Sequence, residues 1–148
     1  MINVMFTCHG NICRSTMCEF IFRDMVEKRG MGDKFFIASS ATSREEIGNG
    51  VHYGTARILD RFGIDYSKKR AVQLTKEDKD KYDYFIGMDN ANIRNMTRIL
   101  GDGIKVYMFL EFAGRTEDIA DPWYTGNFSA TENDVINGCR GLLRALKY

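Results

Sequence analysis

Four short apolar runs, set between segments of helical periodicity, constrain this chain more than any other feature. Ile2-Asn3-Val4-Met5-Phe6-Thr7 is apolar, carries β-branched residues and stops at a glycine-bearing loop, the pattern of a buried strand. Phe35–Ala38, Tyr84–Met88 and Ile104–Met108 read the same way. Between the runs, apolar side chains recur every three to four residues. Met17, Phe20, Ile21, Met25 and Val26 mark one helix ending near Gly30, and Ala56, Ile58 and Leu59 mark another ending at Gly63. A polar amphipathic helix spans Asn90 to Leu100, and Val135, Ile136, Cys139, Leu142, Leu143 and Leu146 mark the last. Strands alternating with helices predict an α/β domain built on a parallel sheet. Such sheets bind ligands at the carboxyl ends of their strands, where the first run delivers Cys8.

Two stretches fall outside the alternation. Glu111 to Asn127 has no period and is rich in Asp, Gly and aromatic residues, which predicts a functional loop. Thr75 to Lys81 alternates acid and base and reads as a capped, solvated helical turn.

The chain of 148 residues has the size of one domain, 1–148. Its formal charge of +1 lacks the basic excess of a nucleic-acid binder. No apolar run approaches the roughly 20 residues of a membrane span, and the N-terminus lacks the pattern of a signal peptide. The four cysteines, at 8, 13, 18 and 139, do not make the paired CxxC of a structural zinc site. Free thiols in a reducing cytoplasm are the expectation. Cys18 and Cys139 lie on apolar helix faces and are expected in the core; His52 is expected at a helix entry.

The chemistry concentrates in Cys8-His9-Gly10-Asn11-Ile12-Cys13-Arg14-Ser15, between the first strand and the first helix. A helix start offers unpaired N–H groups and a positive dipole end, so an anion is favoured there. Gly10 lets the backbone curl around the anion, and Asn11 tolerates the left-handed conformation that such a nest requires. Arg14 offers a planar fork matching two phosphate oxygens. The same field favours Cys8 as a thiolate, and a thiolate aimed at phosphorus is a ready nucleophile. Ser15 is placed to donate a hydroxyl hydrogen bond to that sulfur.

Asp121-Pro122-Trp123-Tyr124 holds the only proline and the only tryptophan of the chain. Pro122 keeps Asp121 out of the helical region. A carboxylic acid there suits protonation of a leaving oxygen, followed by activation of water. Trp123 and Tyr124 supply flat walls for an aromatic leaving group.

Together these segments resemble the low-molecular-weight protein tyrosine phosphatases. Gly10-Asn11-Ile12-Cys13-Arg14-Ser15 matches the family's cysteine loop and Asp121-Pro122-Trp123-Tyr124 its acid loop. Similar stretches fall at Ser40–Ser43, Arg70–Leu74 and Met88–Asn92, so the resemblance covers essentially the whole chain. It implies a four-stranded parallel sheet flanked by helices, a flavodoxin-like three-layer sandwich. It also implies a cysteinyl-phosphate intermediate, with no metal and no cofactor. By carry-over Cys8 is the nucleophile, Arg14 the phosphate clamp and Asp121 the general acid and base. Residues 8–15 hold the phosphate, and Asn11, Ser15 and Ser43 keep the loop in shape. Cys13 is the partner of Cys8 in a reversible protective disulfide. The implied substrate is phosphotyrosine in a protein or a small aryl phosphate, with inorganic phosphate as product; a monomer is the expected working form, with weak self-association as the alternative.

Four positions depart from the pattern. Thr16 stands in place of a proline at the helix start. His9 replaces an apolar residue after the nucleophile, Glu45 a tryptophan on the cleft wall, and Lys69 a histidine of the loop's support. His9 and Glu45, with Trp123 and Tyr124, are expected to face substrate, and an ion pair between His9 and Glu45 across the cleft mouth is expected. Three other functions are compatible with the loop. A phosphoarginine phosphatase would carry threonine at positions 9 and 12, where this chain has His9 and Ile12. A thiol-linked arsenate reductase needs shuttle cysteines, and residues 19–138 contain none. A non-catalytic phosphopeptide-binding module does not account for the intact set of Cys8, Arg14 and Asp121.

Overall fold

In the computed structural model, which describes residues 1–148, the four apolar runs form one parallel sheet. Strands β1 (Ile2–Cys8), β2 (Phe35–Ala41), β3 (Tyr84–Gly87) and β4 (Val106–Met108) lie in the order β2-β1-β3-β4. Five helices accompany them: α1 (Arg14–Lys28), α2 (Tyr53–Arg61), α3 (Asn90–Leu100), α4 (Pro122–Thr125) and α5 (Phe128–Ala145). The order places β1 at the centre, with β2 on one side and β3 on the other. Its partners at the carboxyl end are Ala41 for Cys8 and Gly87 for Thr7. The first loop therefore opens where neighbouring crossovers diverge, the usual ligand crevice of such a sheet.

Side-chain alternation along β1 builds a core on each face. Val4, Phe6 and Cys8 join the larger cluster beneath α1, α2 and α5, while Met5 joins Leu74, Phe85, Met96 and Leu100 beneath α3. Phe6 meets Phe22 and Phe109 edge-on at 5.9 and 5.5 Å between ring centres, the geometry favoured by the ring quadrupole. Emptying that position in Phe6→Ala would cost about 3–5 kcal/mol. Cys18 and Cys139 are fully buried in the same cluster, and all four cysteines are free thiols.

The element boundaries differ from the sequence reading in instructive places. β2 runs on to Ala41 rather than stopping at Ala38, because Ser39 and Ser40, turn-like by composition, are buried and hydrogen-bonded. The Ser40 hydroxyl, for one, lies 3.0 Å from that of Thr7. β4 starts at Val106 instead of Ile104. The last helix begins at Phe128, capped by the Asn127 side chain, a full two turns before the apolar stripe appears. The aperiodic stretch 111–127 is not featureless: a 3-10 turn, Phe109–Ala113, leads into it and α4 closes it. That turn lies directly on α5 at Gly141, where a Cβ would collide with the Phe112 carbonyl. Thr75–Lys81 does form a capped 3-10 turn, with Thr75 and Asp78 in a capping box. No helix is long and apolar enough to cross a membrane.

Candidate active site

The carboxyl end of β1 hands Cys8 to a five-residue loop, and α1 begins at Arg14. Asn11 has φ 61°, one of only two non-glycine residues with positive φ, so the nest conformation expected of it is adopted. Its backbone N–H turns inward and donates to the Cys8 sulfur at 3.3 Å. The Ser15 hydroxyl approaches the same sulfur at 3.1 Å. A Cβ at Gly10 would come within 3.3 Å of the Glu46 side chain, so the loop packs closely beneath the segment that follows β2.

The Arg14 guanidinium is almost fully buried and crosses from this loop to two other parts of the chain. It donates to Asp89 Oδ2 at 2.7 Å and to the Ile119 carbonyl at 2.9 Å, with Asp121 Oδ2 at 3.4 Å. Burial alone disfavours its charge. The Cys8 sulfur, Asp89 and Asp121 outweigh that cost, so Arg14 holds its proton more firmly than an ordinary arginine. Asp89 serves two ends at once, since its Oδ1 also caps α3 by accepting from the Asn92 N–H at 2.7 Å.

Asp121 is the N-cap of α4, with Pro122 at the first helical position, where a missing N–H costs nothing. Its Oδ1 accepts from the Trp123 N–H at 3.0 Å, leaving Oδ2 to face Arg14. Buried Ile119 stitches this loop to the end of the sheet, its N–H donating to the Met88 carbonyl at 2.9 Å. The aperiodic stretch is thus tied at both faces of Ile119, and the carboxylate is delivered to the loop from the opposite side.

Between these groups lies a cavity of about 100 Å³ lined by Cys8, His9, Gly10, Ile12, Cys13, Arg14, Glu45, Glu46, Asp121, Trp123 and Tyr124. Six of the eight loop residues reach it. Asn11 and Ser15 do not: both are buried behind the loop, where Asn11 Nδ2 donates to Ser15 Oγ at 2.8 Å and to Ser39 Oγ at 2.9 Å. Ser43 sits on the outer side and donates to the His9 carbonyl at 2.9 Å. Trp123 and Tyr124 stand at the mouth, more than half exposed. His9 Nε2 and Glu45 Oε2 are paired at 2.7 Å across it. Lys69 is mostly buried below the loop and donates to the Ser39 carbonyl at 3.0 Å. Thr16, at the helix start, returns its hydroxyl to the Cys13 carbonyl at 3.0 Å. Burial, reinforced by Cys8 and Asp121, pushes the Cys13 thiol up to about 12, so it stays neutral beside Cys8.

The chain matches the family described as low molecular weight phosphotyrosine protein phosphatase over residues 3–148. It belongs to that family. Among relatives of this phosphatase is the low molecular weight protein-tyrosine-phosphatase YfkJ of Bacillus subtilis, 38% identical over 99% of the chain and 97% of YfkJ. The crystal structure of YfkJ superposes with a TM-score of 0.93, covering 99% of this chain and 95% of that one. The low molecular weight protein tyrosine phosphatase of Streptococcus pyogenes superposes with a TM-score of 0.88 at 40% identity, covering 99% and 93%. The phosphatase therefore has the four-stranded parallel α/β fold that its sequence implied.

Several residues of the site were not singled out by sequence. Asp89, Ser39, Glu19 and Glu46 are ordinary strand-end, strand, helix and turn residues in one dimension. Only Asp89 had a signal in the sequence: it lies in the family-like stretch Met88–Asn92 and follows an apolar strand in the position of a helix cap. No group of three or more His, Cys, Asp or Glu side chains is arranged to hold a metal ion.

Proposed function

We propose that this phosphatase hydrolyses phosphotyrosine, in proteins or as small aryl phosphates, through a phosphocysteine at Cys8. The observation that carries the reading is the convergence of three groups from distant parts of the chain on one small cavity: the Cys8 sulfur, the Arg14 fork and the Asp121 carboxylate.

The phosphate dianion enters the loop, where backbone N–H groups and Arg14 receive its oxygens. The Cys8 thiolate attacks phosphorus, and the bond to the leaving phenolic oxygen breaks as Asp121 delivers its proton to that oxygen. Trp123 and Tyr124 flank the departing ring. In the second step Asp121, now a carboxylate, takes a proton from water as the water oxygen attacks the phosphocysteine. The P–S bond breaks, inorganic phosphate leaves, and the Cys8 thiolate is restored. The Asn11 N–H and the Ser15 hydroxyl, both on the sulfur, stabilise it as attacking and as leaving group. Asn11, Ser15 and Ser43 act as loop supports, and His9 and Glu45 as part of the substrate rim. Cys13, neutral beside Cys8, serves as the thiol that traps an oxidised Cys8 as a disulfide. Residues 1–148 act as one phosphatase domain, a monomer in a reducing cytoplasm.

The test is turnover of a phosphotyrosyl peptide and of p-nitrophenyl phosphate by the wild type, with phosphoarginine and arsenate as alternative substrates. Hydrolysis of both aryl phosphates in preference to the alternatives is expected. Absence of aryl phosphate turnover would remove the reading.

A further inference from the structure

Helix α2 carries the surface beyond the mouth of the active site. Tyr53, Arg57 and Arg61 are spaced four residues apart and share one face of the helix, while Leu59 turns into the core. These three side chains line a second cleft, of about 650 Å³, together with Phe128 and Glu132 of α5. Trp123 lines both this cleft and the catalytic cavity, so its indole is a wall common to the two.

The cleft is built before any ligand arrives. The His52 N–H donates to the Ile12 carbonyl at 2.9 Å, which fixes the start of α2 to the catalytic loop. The His52 ring stacks on Tyr53 and Phe128, at 4.5 and 5.2 Å between ring centres, and meets Trp123 edge-on at 5.5 Å. A Cβ at Gly54 would collide with the Phe128 ring, so α2 and α5 meet there without a gap. Charge is divided between the two cavities. The carboxylates Glu45 and Glu46 line only the catalytic cavity, whereas Arg57 and Arg61 line only the second cleft. Glu132 is occupied there by Arg61, at 2.5 Å. Arg57 is exposed, with no carboxylate within ion-pair distance. His52 Nδ1 accepts from the Gly54 N–H at 3.0 Å, so the neutral ring carries its proton on Nε2, a further donor at the cleft.

We propose that this cleft is a substrate subsite that receives a carboxylate side chain, Asp or Glu, of the phosphotyrosyl peptide, with Arg57 as its counter-charge and Trp123 dividing it from the catalytic cavity. The inference deepens the proposed function and rests on a phosphotyrosyl peptide being a substrate. An extended chain advances ~3.3–3.6 Å per residue, so an acidic residue about one to three positions from the phosphotyrosine reaches past the indole. A small aryl phosphate ends at Trp123 and Tyr124 and does not reach Arg57. The cleft therefore selects among peptides and leaves the chemistry alone.

The test compares kcat/KM for phosphotyrosyl peptides flanked by alanine, by glutamate on the amino side, or by glutamate on the carboxyl side. The reference substrate is p-nitrophenyl phosphate. The enzymes are the wild type, Arg57→Gln, Arg57→Glu and, as a control for net charge, Arg98→Glu at an exposed position of α3. The wild type is expected to favour at least one glutamate peptide over the alanine peptide by about two- to fivefold, through KM, the worth of one exposed ion pair. Arg57→Gln should abolish that preference and Arg57→Glu reverse it, with turnover of p-nitrophenyl phosphate unchanged in both. Arg98→Glu should keep the wild-type ratios. A wild type without the preference, or a preference that survives Arg57→Glu, would overturn the proposal. An equal loss in Arg98→Glu would overturn it as well, because the effect would then be one of overall charge. Turnover of p-nitrophenyl phosphate without turnover of any peptide would instead defeat the reading of the substrate.

Discussion

Arg14 Nη1 and Asp89 Oδ2 meet at 2.7 Å with the arginine almost fully buried, so the guanidinium is aimed by a residue just past the end of β3. The pair fixes the plane of the guanidinium before any phosphate arrives. Asp89→Asn keeps a side chain able to cap α3 but leaves Arg14 without its shortest carboxylate hydrogen bond. We expect kcat/KM to fall by about ten- to a hundredfold, in line with the loss of a charge-assisted bond. The fall should appear in steady-state kinetics and as weaker competitive inhibition by inorganic phosphate.

Asp121 is expected to matter in proportion to how poor the leaving group is. Asp121→Asn should reduce turnover of phenyl phosphate by about 10²–10⁴ and that of p-nitrophenyl phosphate by less, because nitrophenolate departs with less help from a proton. A plot of kcat against leaving-group pKa, flat for the wild type and steep for the variant, is the check. Equal losses for every leaving group would take Asp121 out of the proton transfer.

The parallel sheet and the two segments that meet at the cavity were legible because each rests on local chemistry. An apolar run ending in a glycine-bearing loop, or a carboxylate fixed by the following proline, is a statement about adjacent residues. The pair of His9 with Glu45 was foreseeable for another reason, since both departures place opposite charges where substrate enters. What stayed hidden depends on register. Ser39 becomes the partner of Asn11 only because β2 pairs with β1 through Ala41, three residues past Ala38, where its apolar run ends. Asp89 and Glu19 each look like surface residues of a helix boundary or a helix, and only packing shows that one takes Arg14 and the other Ser39.

The mouth pair makes a prediction about selectivity. His9 and Glu45 are both substantially exposed, so the bond itself contributes about 0–1 kcal/mol to stability. Glu45→Lys should therefore melt within a degree or two of the wild type. It should nevertheless shift preference by a few-fold from phosphotyrosyl peptides with basic neighbours toward those with acidic neighbours. An unchanged ratio of kcat/KM across such a peptide pair would remove His9 and Glu45 from substrate recognition.

His52 ties stability to pH. Its Nδ1 accepts from the Gly54 N–H at 3.0 Å as the cap of α2, and the ring stacks on Phe128 at 5.2 Å. Glu46 and Asp121 are the carboxylates that act on it, yet burial prevails and lowers its affinity for a proton. The folded state thus binds a proton less readily than the unfolded chain, whose histidines titrate near ~6.5. The contribution is fully present above that value and is lost as pH falls toward the lower folded value. His52→Asn retains a capping side chain without the titration. Melting temperature should fall less on acidification from about pH 7 to about pH 5 for the variant than for the wild type. Parallel curves would count against the cap.

The phosphocysteine itself is the most direct test of the chemistry assigned to Cys8. Rapid acid quenching of the Asp121→Ala enzyme during turnover of an aryl phosphate, followed by peptide mass spectrometry, should find a phosphoryl group on the peptide carrying Cys8. It should find none in Cys8→Ser, which should also be inactive. A phosphoryl group on another residue, or continued turnover by Cys8→Ser, would contradict the mechanism.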